Sequence, residues 1–85
     1  MDNVIHILYF ASFREQLGRA EETVPANYAT ISELLVELAE RGEHWKSVLL
    51  DNPNVQIAVN QDIASRETPL KPGDEIAFFP PVTGG

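Results

Sequence analysis

The chain has no cysteine. A disulfide, a thiolate metal site and a thiol nucleophile built from its own residues are therefore excluded. Basic side chains are scarce as well: 6 stand against 13 acidic ones, for a net charge of −7. A surface of that sign repels phosphate backbones and anionic bilayers, which argues against nucleic acid or membrane as a partner. Ile7 to Ala11 is among the longest apolar runs, far short of the roughly 20 residues that span a bilayer. The opening Met1-Asp2-Asn3-Val4 lacks the basic and apolar stretches of a signal peptide, so the expected location is the cytoplasm. Repeats, linkers and low-complexity segments are also absent. The 85 residues make one small domain, with little room for a deep cofactor pocket of its own. With 44% hydrophobic and 22% charged residues, the composition is that of a globular chain and not of a disordered one.

What is present reads as strands around one main helix. Val4 to Phe10 is β-branched and aromatic and predicts a strand, with Ile5, Ile7 and Tyr9 on one face and His6, Leu8 and Phe10 on the other. Ser12 to Leu17 predicts a short helix stopped by Gly18, and Glu21 to Val24 a second strand ended by Pro25, the two strands forming an irregular hairpin. Thr30 and Glu33 have the spacing of a reciprocal capping box. Ile31, Leu34, Leu35, Leu38 and Ala39 then form one apolar stripe, predicting a helix from Ile31 to Arg41 that ends at Gly42. His44 to Leu50 predicts a further short helix, Val55 to Asn60 a half-buried strand, and Asn60-Gln61-Asp62 a reversal into Ile63-Ala64-Ser65. Lys71-Pro72-Gly73-Asp74 is a turn into the last strand, Glu75 to Phe79. A sheet with one helix across one face, an α+β fold, satisfies this order.

Few constellations carry chemistry. His6 and His44 are far apart in the chain and share no element with ligand spacing, so no metal site is expected. Glu21-Glu22 and Asp74-Glu75 are adjacent pairs on strands; neighbours there point to opposite faces, and they read as solubility and turn residues. Two features remain. Phe10 and Phe79 fall with polar neighbours on the sheet face away from the helix, and Ile63, beside a turn, joins them. Scattered surface apolar groups are normal, but two aromatics on one face of so small a domain favour a partner patch. The second feature is the ending Pro80-Pro81-Val82-Thr83-Gly84-Gly85. Two prolines make a stiff extended arm, whose full reach is about 20 Å. Two glycines then leave a thin end that can thread a channel and present an unhindered carboxylate, although chain ends also simply fray.

The stretch Leu70 to Gly85, with its Phe78-Phe79-Pro80-Pro81-Val82-Thr83-Gly84-Gly85 ending, closely resembles the small, sulfur-carrier subunits of molybdopterin synthase. Ala58-Val59-Asn60-Gln61, Ile7-Leu8-Tyr9-Phe10-Ala11 and Arg14-Glu15 fit the same family, so the resemblance spans essentially the whole chain. It implies a ubiquitin-like β-grasp fold: a mixed sheet of about five strands over residues 1–79, one main helix on one face, and a delivery tail over residues 80–85. It also implies that a ubiquitin-activating-like adenylyltransferase uses ATP to make a glycyl adenylate at Gly85. A sulfur-donor protein then converts that carboxyl to a thiocarboxylate. The tail, Pro80, Pro81, Val82, Thr83 and Gly84, carries the sulfur into the large subunit, which passes it to the cyclic pyranopterin monophosphate precursor of the molybdenum cofactor. Phe10, Ile63 and Phe79 are the expected interface residues. The implied assembly is a heterotetramer of two small and two large subunits. This chain alone is expected to bind no cofactor and to be no enzyme by itself; ATP, magnesium and pterin sites belong to its partners. Two other fates use the same end: a carrier for thiazole synthesis or transfer-RNA thiolation, and a ubiquitin-like protein modifier joined to lysine through an isopeptide bond.

Overall fold

A computed structural model describes residues 3–81. Its elements run β1 (Val4–Tyr9), α1 (Ser12–Leu17), β2 (Glu21–Pro25), α2 (Ile31–Ala39), α3 (Glu43–Trp45), β3 (Gln56–Val59), β4 (Asp62–Ala64) and β5 (Glu75–Phe79), with a π-helical turn at Lys46–Leu50 following α3. The five strands form one sheet in the order β2-β1-β5-β3-β4. The central pair, β1 and β5, is parallel, and every other pairing is antiparallel. This is the expected mixed-sheet β-grasp. The last strand is thus also the middle one, and the chain leaves the sheet from its centre.

Alternation along the strands divides the sheet into two faces. Ile5, Ile7 and Tyr9 of β1, Ile76 and Phe78 of β5, and Ile57 of β3 are buried, and they meet the α2 stripe of Ile31, Leu34, Leu35 and Leu38. Phe13 and Leu17 of α1 and Val48 and Leu49 of the π-helical turn close the ends of this core. Burying side chains of this size contributes about 1.5–3 kcal/mol each, so the interleaved strand and helix positions drive the fold.

Several boundaries differ from expectation for local reasons. Strand β2 includes Pro25, which pairs with Val4 on an edge strand where its missing N–H costs no ladder bond. Helix α2 stops at Ala39, because the Glu40, Arg41 and Gly42 N–H groups donate to residues three back and tighten the last turn. Gly42 instead precedes α3 as its cap. Only half of the capping box forms. The Glu33 N–H donates to Thr30 Oγ1 at 3.4 Å, but the Glu33 carboxylate accepts from the Ala29 N–H at 2.9 Å, one residue before the expected partner. The expected single helix over His44 to Leu50 is a short α3 followed by the π-helical turn.

The long connection from β4 to β5 is anchored in two ways. Its Arg66 guanidinium donates to the Leu49, Leu50 and Asn52 carbonyls at 3.3, 2.9 and 2.8 Å. Its Thr68 and Arg66 carbonyls accept from the first N–H groups of α2, at Ile31 and Ser32, over 3.1 and 2.8 Å. Those helix-end donors have no partner within the helix itself. Gly73, at φ 90°, then makes the turn that starts β5.

Candidate functional site

Strand register assembles the uncovered face of the sheet. Leu8 pairs with Ala77, Ala77 with Ala58, and Ala58 with Ile63, so one row crosses four strands. In the next row Phe79 pairs with Gln56. Continuing the β1–β5 register by two residues from Leu8–Ala77 sets Phe10 beside Phe79. Ile63 is 77% and Phe10 46% exposed, whereas Phe79 is half-buried. The three expected interface residues therefore share one face. The two alanines at its centre leave a shallow floor, flanked by Leu8 and Phe10 on one side and Ile63 on the other.

Leu8, Ala58 and Ala77 extend this patch beyond the residues singled out in the sequence. Their signal was the period-two alternation itself, but small or half-buried side chains do not stand out from composition. The outward strand residues around them are Glu21, Thr23, His6, Glu75 and Gln56, and no lysine or arginine lies among them.

The tail begins where this patch ends. The Phe10 N–H donates to the Phe78 carbonyl at 3.1 Å, on the β1 side of β5; past Phe79, which still pairs with Gln56, the chain runs on to a half-buried Pro80 and an exposed Pro81. Val82, Thr83, Gly84 and Gly85 lie outside the described residues.

A second cluster sits on the helix side at the same end of the sheet. The Glu22 carboxylate accepts from the Tyr9 hydroxyl at 2.7 Å, from two Arg41 nitrogens at 2.7 Å each, and from Arg19 at 3.1 Å. The Arg41 guanidinium lies 4.5 Å from the Trp45 ring centre. The Tyr9 ring meets Trp45 edge-on at 5.7 Å and stacks on Phe78 at 6.1 Å. Glu22 is thus no solubility residue: its side chain is 10% exposed and holds β2, β1 and the end of α2 together. Burial works to raise the Glu22 carboxyl. Hydrogen bonds from Arg41 and Tyr9 and the charges of Arg41 and Arg19 outweigh it and hold the group below its ordinary value. Burial, and then the bond to Glu22, push the Tyr9 hydroxyl up. No local sequence pattern points to this cluster, because its members are spread from Tyr9 to Trp45.

The two histidines are separate: His6 is exposed on the open face, and His44 Nε2 lies 2.6 Å from the Gln16 carbonyl. Among the described residues no group of three or more His, Asp or Glu side chains converges, and no helix is long and apolar enough to cross a membrane.

Comparison with known proteins adds four findings to this geometry. Residues 7–85 match the ThiS family. The molybdopterin synthase sulfur carrier subunit of Escherichia coli (strain K12) is 40% identical over 82 residues, covering 96% of this chain and all of that one. Among solved structures, SAMP1 from Haloferax volcanii superposes with a TM-score of 0.79 at 26% identity, covering 96% of this chain and 99% of its own. A protein–protein complex of subunits 1 and 2 of the molybdopterin-converting factor from Helicobacter pylori 26695 contains a chain with a TM-score of 0.66 at 26% identity, covering 96% and 99%.

Proposed function

The chain belongs to the ThiS family, and we propose that it is the sulfur-carrying small subunit of a molybdopterin synthase. The observation that carries this reading is the 40% identity, over nearly the whole chain, to a relative of that name. The Phe78-Phe79-Pro80-Pro81-Val82-Thr83-Gly84-Gly85 ending supplies the chemistry.

A terminal carboxylate is ionised at neutral pH, with an ordinary pKa of about 3.5, and is a poor electrophile. An activating enzyme with ATP makes the Gly85 carboxyl an acyl adenylate, releasing pyrophosphate. Sulfur at the sulfide level, delivered by a donor protein, then attacks the Gly85 carbonyl and AMP leaves as the C–O bond breaks, so the chain ends in a thiocarboxylate. The tail delivers that sulfur to the pterin precursor inside the large subunit, and hydrolysis returns the carboxylate. With no cysteine in the chain, the sulfur rides only at the terminus.

The open face is the docking surface in this reading. Phe10, Phe79 and Ile63 are its anchors, and Leu8, Ala58 and Ala77 its floor. A face that is apolar at the centre and, among its described strand residues, carries Glu21 and Glu75 but no lysine or arginine suits a partner surface that is apolar with basic residues at the rim. The likeness to the H. pylori two-subunit complex supports a large-subunit partner.

The likeness to SAMP1, a small archaeal modifier protein, favours a second reading: a protein modifier whose Gly85 carbonyl ends on a lysine amine. Intact-mass measurement separates the two. After incubation with the activating enzyme, ATP and the sulfur donor, the carrier reading expects the mass gain of one oxygen-to-sulfur exchange. A conjugate joined through Gly85, with no thiocarboxylate, would establish the modifier instead.

A further inference from the structure

Strand β5 has a neighbour on each side, so its end must be closed twice. Alternate residues of such a strand turn their N–H and C=O groups to opposite neighbours. On one side the Asp74 and Phe78 carbonyls accept from the His6 and Phe10 N–H groups at 2.9 and 3.1 Å. Even-numbered residues of β5 therefore face β1, and the next donor in that ladder would be the N–H of residue 80. On the other side the Glu75 carbonyl accepts from the Asn60 N–H at 2.8 Å. Odd-numbered residues therefore face β3, and beyond the Gln56–Phe79 pair the next donor would be the N–H of residue 81. Both positions are proline, which has no N–H to give. Each ladder stops where its donor is missing: the last β1 pair is Tyr9–Phe78, and the last β3 pair is Gln56–Phe79.

The acceptors that those two donors would have met are the Phe10 and Asn54 carbonyls, and both find partners nearby. Phe10 accepts from the Phe13 N–H at 3.1 Å, and Asn54 from the Gln56 side-chain amide at 3.4 Å. A proline does not stop a strand by itself. Pro25 stays paired with Val4, because edge strand β2 has a neighbour on one side only. At the sheet centre a single proline would close one ladder and leave the other able to continue. We propose that Pro80 and Pro81 are positioning residues for sulfur delivery, one closing each side of β5, which together keep the arm from pairing onward with the body. Each residue drawn into the sheet would shorten the arm by about 3.3 Å. Each added bond would also have to reopen before the arm enters a partner. This role depends on the missing donors and not on the stiffness of the proline rings. It rests on the reading that the tail delivers sulfur to a large subunit.

The test uses the full-length chain, Pro80→Ala, Pro81→Ala, the double variant, and a synthetic chain with N-methylalanine at both positions. The last lacks both donors, as the wild type does, but has no ring. Hydrogen exchange is read by NMR at the amides that the alanines introduce, with the Phe78 amide as the folded reference. Each chain is then given a Gly85 thiocarboxylate, and kcat/KM for sulfur transfer is measured with the purified large subunit and the pterin precursor. The new amides at 80 and 81 are expected to exchange about fivefold or more slowly than an unstructured amide, the protection of one net hydrogen bond. Transfer is expected to fall about fivefold in each single variant and about thirtyfold in the double one, as one or two such bonds must reopen. The N-methylalanine chain is expected to transfer like the wild type. Unprotected amides at 80 and 81, wild-type transfer by the double variant, or an N-methylalanine chain as slow as the double variant would each overturn the proposal. Absence of transfer from the wild type overturns the carrier reading and the delivery role with it, while protected amides would still establish the two-sided strand stop.

Discussion

Adjacent phenylalanines in β5 have opposite duties. Phe78 is fully buried beneath α2 and stacked on Tyr9, and Phe79 is half-buried on the open face. Truncating the first leaves a cavity; truncating the second removes an anchor of the proposed docking face. Phe78→Ala is expected to destabilise the domain by about 3–5 kcal/mol, measured by urea unfolding. Phe79→Ala is expected to unfold close to the wild type while weakening large-subunit binding by about 1–3 kcal/mol. A Phe79→Ala chain that unfolds as readily as Phe78→Ala would mean that the faces are reversed.

At the scale of elements, the Glu22 cluster is the joint between β1, β2 and the α2–α3 corner, and it makes stability depend on pH. The Glu22 carboxyl is held below its ordinary value of 4.5. Its contribution is therefore present above that value and lost as the pH falls through the folded-state value. The Tyr9 hydroxyl is raised above its ordinary 10.0, so stability also declines once the pH climbs past that figure. Unfolding measured across pH is expected to show both limbs. Glu22→Gln is expected to cost about 1–3 kcal/mol near neutrality and to flatten the acid limb; an acid limb of wild-type steepness would remove Glu22 as its source.

The elements were legible in the sequence wherever periodicity is local. The α2 stripe, the β1 alternation and the Asn60-Gln61 reversal, where both residues take positive φ, follow from neighbours a few positions apart. What could not be read were bonds between distant segments. Glu22 looked like a solvated acid because Arg41 lies 19 residues away, and Arg66 carried no sign that it would cap the carbonyls of Leu49, Leu50 and Asn52. The open face lay between these cases. Phe10, Phe79 and Ile63 were visible from strand parity, and the row through Leu8, Ala77 and Ala58 needed the sheet order.

For the molecule as a whole, fold and chemistry are divided. The β-grasp places its last strand at the sheet centre, sets an uncovered apolar face beside it, and sends the chain out through Pro80 and Pro81, ahead of the carboxyl proposed to react. The described core lies between Ile5 and Phe78, so folding and the proposed function separate most sharply at Gly85. The most direct measurement takes three chains through activation with ATP and sulfur donor, with intact mass, pterin sulfuration and thermal unfolding read on each. They are the wild type, a chain lacking Gly85, and a chain with one residue added after it. One residue moves the carboxylate by about 3.3 Å, and a misplacement of about 1 Å already costs about 100-fold in rate. Both altered chains are expected to unfold at the wild-type temperature, to gain no sulfur and to support no sulfuration. Full sulfuration by the chain lacking Gly85 would contradict the account.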